Sequence, residues 1–213
     1  MRNSLHWNEI QSSRPIQGCV VFLHGRGTTG KELMPLAEEI TIPSLRWIFP
    51  DAPFPFPEDF GGRMWFAPPP DREEGLGESR LLLFDLLDHL IERDHVPAEQ
   101  IVLMGFSQGA VMCLDVGLRF PKRLAALMAL SGFLPSPEIL PAEKSPASTG
   151  MPILLVHGTM DEVVRVDGSR QAYATLLKEG YAVRLQEYPM GHQVIPEEIA
   201  FIRHHLVRFL HIR

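Results

Sequence analysis

The sequence predicts an α/β fold in which helices cover both faces of a mostly parallel sheet. Short apolar runs of strand length alternate with longer segments whose apolar residues recur every three or four positions, as in Leu82, Leu86 and Leu90. This alternation is typical of parallel sheets, because each parallel strand needs a crossover, usually a helix, to reach the next strand. A serine between two glycines, at the junction of one such strand and helix, is the third indication.

Six short runs of strand length are predicted to be strands. They are Cys19–Leu23, Arg46–Phe49, Ile101–Met104, Ala125–Leu130, Ile153–His157 and Val183–Tyr188. A weaker strand is predicted around Leu5–Ile10. The segments with helical periodicity are Lys31–Ile40, Glu78–Arg93, Gln108–Phe120, Ser169–Glu179 and Pro196–His211.

Two segments interrupt the alternation. Asp51–Gly77 is rich in proline and glycine, and Pro135–Gly150 is rich in proline, serine and alanine. Both are predicted to be long surface loops, which in a compact domain are usually functional or mobile. The remaining elements fit a single domain over residues 1–213, with no room for a large lid domain.

Charge and hydropathy disfavour several classes of protein. The net charge is −6, from 20 Lys+Arg against 26 Asp+Glu, and no basic cluster is present, so nucleic-acid binding is disfavoured. No run reaches the roughly 18 apolar residues of a membrane span, and the N-terminus lacks the apolar segment of a signal peptide. Cys19 and Cys113 are predicted to be small buried hydrophobic residues. We therefore expect a cytoplasmic protein without integral membrane association.

The glycine-flanked serine has the form of a nucleophile elbow. The motif is Gly105-Phe106-Ser107-Gln108-Gly109, between a predicted strand and a predicted helix. In such an elbow a sharp turn lifts the serine hydroxyl clear of the sheet, and glycines are needed where the backbone comes close to its neighbours. The alternative is a turn of small residues whose serine only caps the helix.

A serine nucleophile needs a base, and the base needs an acid to orient it. In an elbow fold the expected chain order is serine, acid, histidine, each on a loop after a strand. Asp161 follows the strand Ile153–His157 and His192 follows the strand Val183–Tyr188. Because the carboxyl ends of parallel strands share one edge of the sheet, we predict a triad of Ser107, Asp161 and His192.

Other residues compete for these roles. Asp161 alone could equally be a turn residue, although Asp167 is the better candidate for a helix cap. His24 and His157 could lie near the site, where we expect structural hydrogen bonds from them. Glu162 and Glu187 are fallback acids. Gly191 is expected to let the backbone turn sharply before His192.

An oxyanion hole needs two backbone donors. We predict the N–H of Gln108, which follows the nucleophile, and the N–H of Arg26, in the glycine-rich loop after the strand Cys19–Leu23. The same loop, Gly25-Arg26-Gly27-Thr28-Thr29-Gly30, matches neither common nucleotide-binding pattern, so a nucleotide site is a weak alternative.

These motifs occur together in an order that resembles the phospholipase/carboxylesterase family of α/β-hydrolases, the group of small carboxylesterases and acyl-protein thioesterases. The resemblance is carried by Phe22–Gly27, Phe49–Pro53, Gly105–Ala110, Leu130–Gly132, Val156–Asp161 and Tyr188–His192. It implies the same triad and oxyanion hole, with no metal or other cofactor. Because relatives often dimerise, it also leaves a homodimer open, for which no independent sequence signal is present.

Two departures from the family pattern concern the substrate. Arg26 stands where the family usually has leucine, and Met64-Trp65-Phe66-Ala67 replaces the family's Trp-aromatic-Asp element. Trp65 and Phe66, with Phe133 and Leu134, are candidates for the wall of an acyl-binding site, against the alternative of plain core packing. We expect a shallow, open site.

The sequence thus predicts a serine hydrolase that cleaves carboxylic esters of small or medium acyl groups through an acyl-enzyme. Thioesters or lysophospholipids are the alternative small-molecule substrates. A binding module that kept the fold and lost turnover is the alternative from another class.

Overall fold

A computed structural model describes residues 4–58 and 61–212. Seven strands form one sheet and two short ones form a hairpin. The strands are β1 (Trp7–Ile10), β2 (Gly18–Leu23), β3 (Leu45–Pro50), β4 (Phe54–Pro55), β5 (Arg63–Met64), β6 (Ile101–Phe106), β7 (Ala126–Leu130), β8 (Pro152–Gly158) and β9 (Ala182–Tyr188). All seven predicted strands are present, each within three residues of its predicted bounds.

The main sheet is parallel apart from one edge strand. Its order is β1-β3-β2-β6-β7-β8-β9, and β1 pairs antiparallel with β3. The carboxyl ends of β6, β8 and β9 therefore lie along one edge. This edge receives the loops that carry Ser107, Asp161 and His192.

Helices cover both faces of the sheet. They are α1 (Met34–Ile40), α2 (Arg72–Glu92), α3 (Gln108–Arg119), α4 (Leu140–Glu143), α5 (Asp167–Lys178) and α6 (Pro196–Phe209). Side chains alternate along β2, with Val21 and Leu23 in the core beneath α2, α3 and α5, and Val20 and Phe22 in the core beneath α1 and α6. Because both faces of the sheet are buried, the central strands β2, β6 and β7 carry no polar side chains apart from Cys19. None of the described helices is both long and apolar enough to cross a bilayer.

The predicted loop Asp51–Gly77 is only partly a loop. It contains the β4–β5 hairpin, and its last six residues form the start of α2, which begins at Arg72. Position 75 lies within this helix, and packing explains why it is a glycine, since a Cβ there would lie 3.0 Å from the Cα of Phe66. Gly75 thus allows close packing of the helix and does not indicate a loop. Residues 59 and 60 lie outside the described residues.

The second predicted loop, Pro135–Gly150, also contains helical turns. It includes α4 and a single 3-10 turn at Pro146–Ser148. Both begin with proline in the first turn, where its missing N–H costs no hydrogen bond. Proline here starts helices rather than excluding them.

Candidate active site

The elbow has the strained backbone that its motif predicts. Ser107 has φ 55° and ψ −118°, between the end of β6 and the start of α3. A Cβ on Gly105 would overlap the carbonyl of Gly109, and a Cβ on Gly109 would overlap the carbonyl of Leu23. Both glycines are therefore required by close backbone contacts, and a mere helix-capping serine would need neither of them.

His192 bridges the other two predicted catalytic residues. Its Nε2 lies 2.9 Å from the Ser107 Oγ, and its Nδ1 lies 2.7 Å from the Asp161 Oδ2. An ionised carboxylate only accepts hydrogen bonds, so Nδ1 carries the proton and Nε2 is free to accept one from the serine. The ring also packs against Phe106, with centroids 4.9 Å apart. The arrangement has the geometry needed to deprotonate Ser107.

Asp161 is held as an ionised acceptor. Its Oδ1 accepts hydrogen bonds from the backbone N–H groups of Val163 and Val164, at 2.9 and 2.8 Å. Burial alone would raise the pKa of this carboxyl, but the hydrogen bonds from His192 and from Val164 outweigh burial and bring the pKa below its usual range. Asp161 is thus both the turn residue and the partner of His192.

The loops that carry Asp161 and His192 are fixed to each other. The backbone N–H of Thr159 donates to the Tyr188 carbonyl at 2.8 Å, and that of Met160 donates to the Met190 carbonyl at 3.0 Å. A Cβ on Gly158 would overlap the Met190 carbonyl. Gly191, by contrast, has no positive φ and no close contact. These contacts do not require a glycine at position 191, whereas Gly158 is a glycine that the loop pair requires.

The competing residues have other roles. His157 is buried, and its ring nitrogens contact the Ser169 Oγ at 2.7 Å and the Val164 carbonyl at 2.8 Å. It therefore supports the turn after Asp161, as expected for a structural histidine. Asp167 does not cap α5, because it is the first helical residue and pairs with Arg170 in the exposed first turn. Glu187 pairs with Arg170 at 2.8 Å.

The loop after β2 lies against the nucleophile. A Cβ on Gly25 would be 3.4 Å from the Ser107 Cβ. The His24 ring, fully buried, accepts from the Ala52 N–H at 3.0 Å and donates to the Gly25 carbonyl at 2.7 Å. Burial lowers the pKa of His24 and keeps it neutral, as this pair of bonds requires.

The predicted oxyanion donors are unpaired in the structure. Among the described residues, neither the Arg26 N–H nor the Gln108 N–H donates to a protein acceptor. His24 turns the Gly25 carbonyl inward, so the following Arg26 N–H faces the opposite way across the peptide plane. Two free donors beside Ser107 are what a developing oxyanion needs.

The predicted substrate wall is largely core. Trp65 is fully buried and donates from its indole Nε1 to the His24 carbonyl at 2.9 Å. Phe66 and Leu134 are 7% and 6% exposed and belong to the same core. Trp65, Phe66 and Leu134 thus have the core packing that the sequence offered as the alternative, and their role in an acyl-binding wall stays a prediction. Phe133 is half-buried at the edge of the core.

The Gln108 side chain has a role that sequence reasoning missed. Its Oε1 accepts from the Trp65 N–H at 2.8 Å, and its Nε2 donates to the Phe66 carbonyl at 2.7 Å. This clamp joins the first turn of α3 to a segment about forty residues away. The sequence signal for it was an amide residue directly after the nucleophile, and its burial is seen only in the structure. Within residues 4–58 and 61–212, no group of three or more potential ligands is arranged to hold a metal ion.

Comparison with known proteins agrees with this architecture. A model of the phospholipase/carboxylesterase family matches residues 7–210. Acyl-protein thioesterase 1 homolog 2 of Dictyostelium discoideum is 36% identical over 185 residues, which cover 81% of this chain and 82% of that protein.

Solved structures agree as well. Esterase PE8 is 30% identical, with a TM-score of 0.89 over 97% of this chain and 100% of that one. Acyl-protein thioesterase 2 of Zea mays is 27% identical, with a TM-score of 0.83 over 96% and 99% of the two chains. These matches confirm the predicted α/β-hydrolase fold without a large lid domain, and they confirm an enzyme of the carboxylic ester hydrolase class. The chain belongs to the phospholipase/carboxylesterase family.

Proposed function

We propose that this protein hydrolyses carboxylic esters through an acyl-enzyme formed on Ser107. His192 takes the Ser107 proton on Nε2 as Oγ forms a bond to the ester carbonyl carbon. The N–H groups of Arg26 and Gln108 stabilise the oxyanion. As the carbonyl re-forms, the bond to the alcohol breaks and His192 protonates the departing oxygen. A water molecule, deprotonated by His192, then releases the acid and regenerates Ser107.

One observation carries this proposal: the His192 ring bonds at once to the Ser107 Oγ and to the Asp161 carboxylate, at 2.9 and 2.7 Å. The second bond stabilises the imidazolium that forms when the first proton moves. Two free backbone donors beside the nucleophile support the same reaction class.

We infer small or medium acyl groups as substrates. Two exposed apolar residues, Met160 and Val163, lie one and two positions from Asp161 in the chain, at 59% and 72% exposure, and offer apolar surface for an acyl group. The same chemistry cleaves thioesters, and the named relatives include acyl-protein thioesterases. Turnover across acyl esters of two to sixteen carbons, and between matched oxygen and sulfur leaving groups, distinguishes the esterase from the thioesterase and lysophospholipase alternatives.

The assignment of Ser107 is tested by labelling with a fluorophosphonate probe and by the Ser107→Ala variant. We expect the probe to label Ser107 and the variant to lose about 10⁵–10⁶-fold in turnover. Ser131→Ala is the matched control, because its buried Oγ, just after β7, has no hydrogen-bond partner in the part of the chain that the structure describes. A non-catalytic binding module would leave the native chain unlabelled.

A single domain over residues 1–213 and a cytoplasmic location stay predictions. A homodimer is left open by the resemblance to the family. Size-exclusion chromatography with light scattering tests the last of these.

A further inference from the structure

The side chain of Arg26 projects from the glycine-rich loop Gly25–Gly30 after β2, named here the oxyanion loop, and has no acidic partner among the described residues. It is exposed, and among the described residues no carboxylate lies within ion-pair distance of its guanidinium. Its described contact is with an aromatic ring, with Cζ 5.5 Å from the centroid of Phe56. Other arginines, such as Arg46 and Arg80, form ion pairs with carboxylates at 2.6 to 2.9 Å. No carboxylate of the described residues occupies the hydrogen-bond donors of Arg26, which can therefore bind a ligand.

The ring beneath Arg26 is fixed to the oxyanion loop. A Cβ on Gly27 would lie 3.3 Å from the Phe56 ring, so the ring packs directly on that glycine. The Gly27 N–H donates to the Arg63 carbonyl, and the Phe56 N–H donates to the Gly62 carbonyl, both at 2.8 Å. A guanidinium that rests on an aromatic face keeps its in-plane N–H groups available. The Arg26 guanidinium is therefore held by the Phe56 ring, which itself packs on the oxyanion loop.

Arg26 lies close to the reacting atoms. A Cβ on Gly25 would be 3.4 Å from the Ser107 Cβ. Because consecutive Cα atoms are about 3.8 Å apart, the Arg26 Cα lies within about 9 Å of the Ser107 Cβ. A substrate group a few bonds from the scissile carbonyl is within reach of the arginine side chain.

We propose that Arg26 is a specificity-determining residue that binds an anionic group, such as a carboxylate, on the ester substrate. This inference rests on the proposed esterase function. A guanidinium matches a carboxylate with two parallel hydrogen bonds. On a chain of net charge −6, an unpaired cation beside the nucleophile gives local attraction where the overall field repels anions.

The test compares esters that differ in charge. On the acyl side, p-nitrophenyl hexanoate is paired with the mono-p-nitrophenyl ester of adipic acid. On the alcohol side, the hexanoate ester of 4-hydroxybenzamide is paired with that of 4-hydroxybenzoate. The readout is the ratio of kcat/KM for the anionic ester to that for the neutral ester, measured for the native chain, Arg26→Leu, Arg26→Lys and Arg203→Leu. Arg203→Leu removes the same charge from an exposed position on α6.

We expect Arg26→Leu to lower the ratio about 3- to 10-fold in at least one pair, the size of an ion-pair attraction near 5 Å in a solvent-exposed site. Arg26→Lys should keep part of the preference, Arg203→Leu should keep all of it, and 0.5 M salt should reduce it in the native chain. Ratios within twofold of native for Arg26→Leu in both pairs, or an equal fall for Arg203→Leu, would overturn the inference. Failure of the proposed function is distinguishable, because then the neutral esters would not be cleaved and Ser107 would not be labelled.

Discussion

The substitution Asp161→Asn tests how the triad works, because the surroundings of this side chain fix how an amide must sit. Oδ1 accepts from two backbone N–H groups, those of Val163 and Val164. The NH₂ group of asparagine cannot take that position, since three donors would face one another. The amide oxygen therefore stays at the Oδ1 site, and the NH₂ group faces the Nδ1 of His192, 2.7 Å away in the native protein.

This orientation reverses the proton arrangement of His192. Nδ1 must now accept, so the ring proton moves to Nε2, which then donates to Ser107 instead of accepting from it. Restoring the productive tautomer costs a hydrogen bond to a charged group, about 1.5–3 kcal/mol, and leaves a buried donor unsatisfied, about 1–3 kcal/mol. Together these amount to about 2.5–6 kcal/mol, a loss of about 10²–10⁴-fold in kcat/KM. The upper end matches the about 10⁴-fold loss known for the same change in a serine protease triad.

The assay is kcat/KM on p-nitrophenyl hexanoate at pH 7.5, with the rate of fluorophosphonate labelling as a second readout. Asp167→Asn is the matched control, since that carboxyl is exposed and forms only long ion pairs at 3.4 and 3.5 Å. Urea unfolding shows whether each variant is folded. A folded Asp161→Asn enzyme within tenfold of native activity would refute the proposed role of the carboxylate.

Two predictions concern stability. Glu198, on α6, is buried, and neither of its carboxyl oxygens has a partner at hydrogen-bond geometry among the described residues. Burial, opposed in part by the nearby Ile195 N–H, raises its pKa to about 8. Because the unfolded chain releases this proton near pH 4.5, stability should fall as pH rises from about 5 to 8, by up to about 5 kcal/mol. Glu198→Gln should flatten this dependence in urea unfolding, and parallel curves for the two proteins would contradict it. Asp115→Ala should lower the free energy of unfolding by about 1.5–3 kcal/mol, because Arg80 loses a two-point contact and buried Arg119 keeps only one of its two carboxylate partners, Glu143 at 2.8 Å. Glu187→Ala, which breaks an exposed pair with Arg170, should cost under about 1 kcal/mol, and equal costs for the two variants would count against this reasoning.

Interactions over a long sequence separation account for what the sequence could not predict. The clamp between the Gln108 side chain and the backbone of Trp65 and Phe66 joins segments more than forty residues apart. No local pattern distinguishes an aromatic pair that lines a pocket from one that packs beneath it, so the sequence could not show that Trp65 and Phe66 are buried in the core. The sequence likewise could not show that Gly75 lies in a helix, because the contact that requires a glycine there is with Phe66, nine residues earlier in the chain.

The sequence by itself determined the order of strands and helices and the elbow at Ser107, because hydrophobic periodicity and glycine-dependent turns act over a few neighbouring residues. It also predicted that Asp161 and His192 follow strands whose ends share one edge, since parallel sheets place all such ends together. Only the tertiary structure decided that His192 contacts both partners, that the paired loops require Gly158, and that Arg26, on the loop against the nucleophile, has no carboxylate of the described residues within ion-pair distance. These depend on distances between side chains brought together by the packing of the whole sheet, which no run of neighbouring residues encodes.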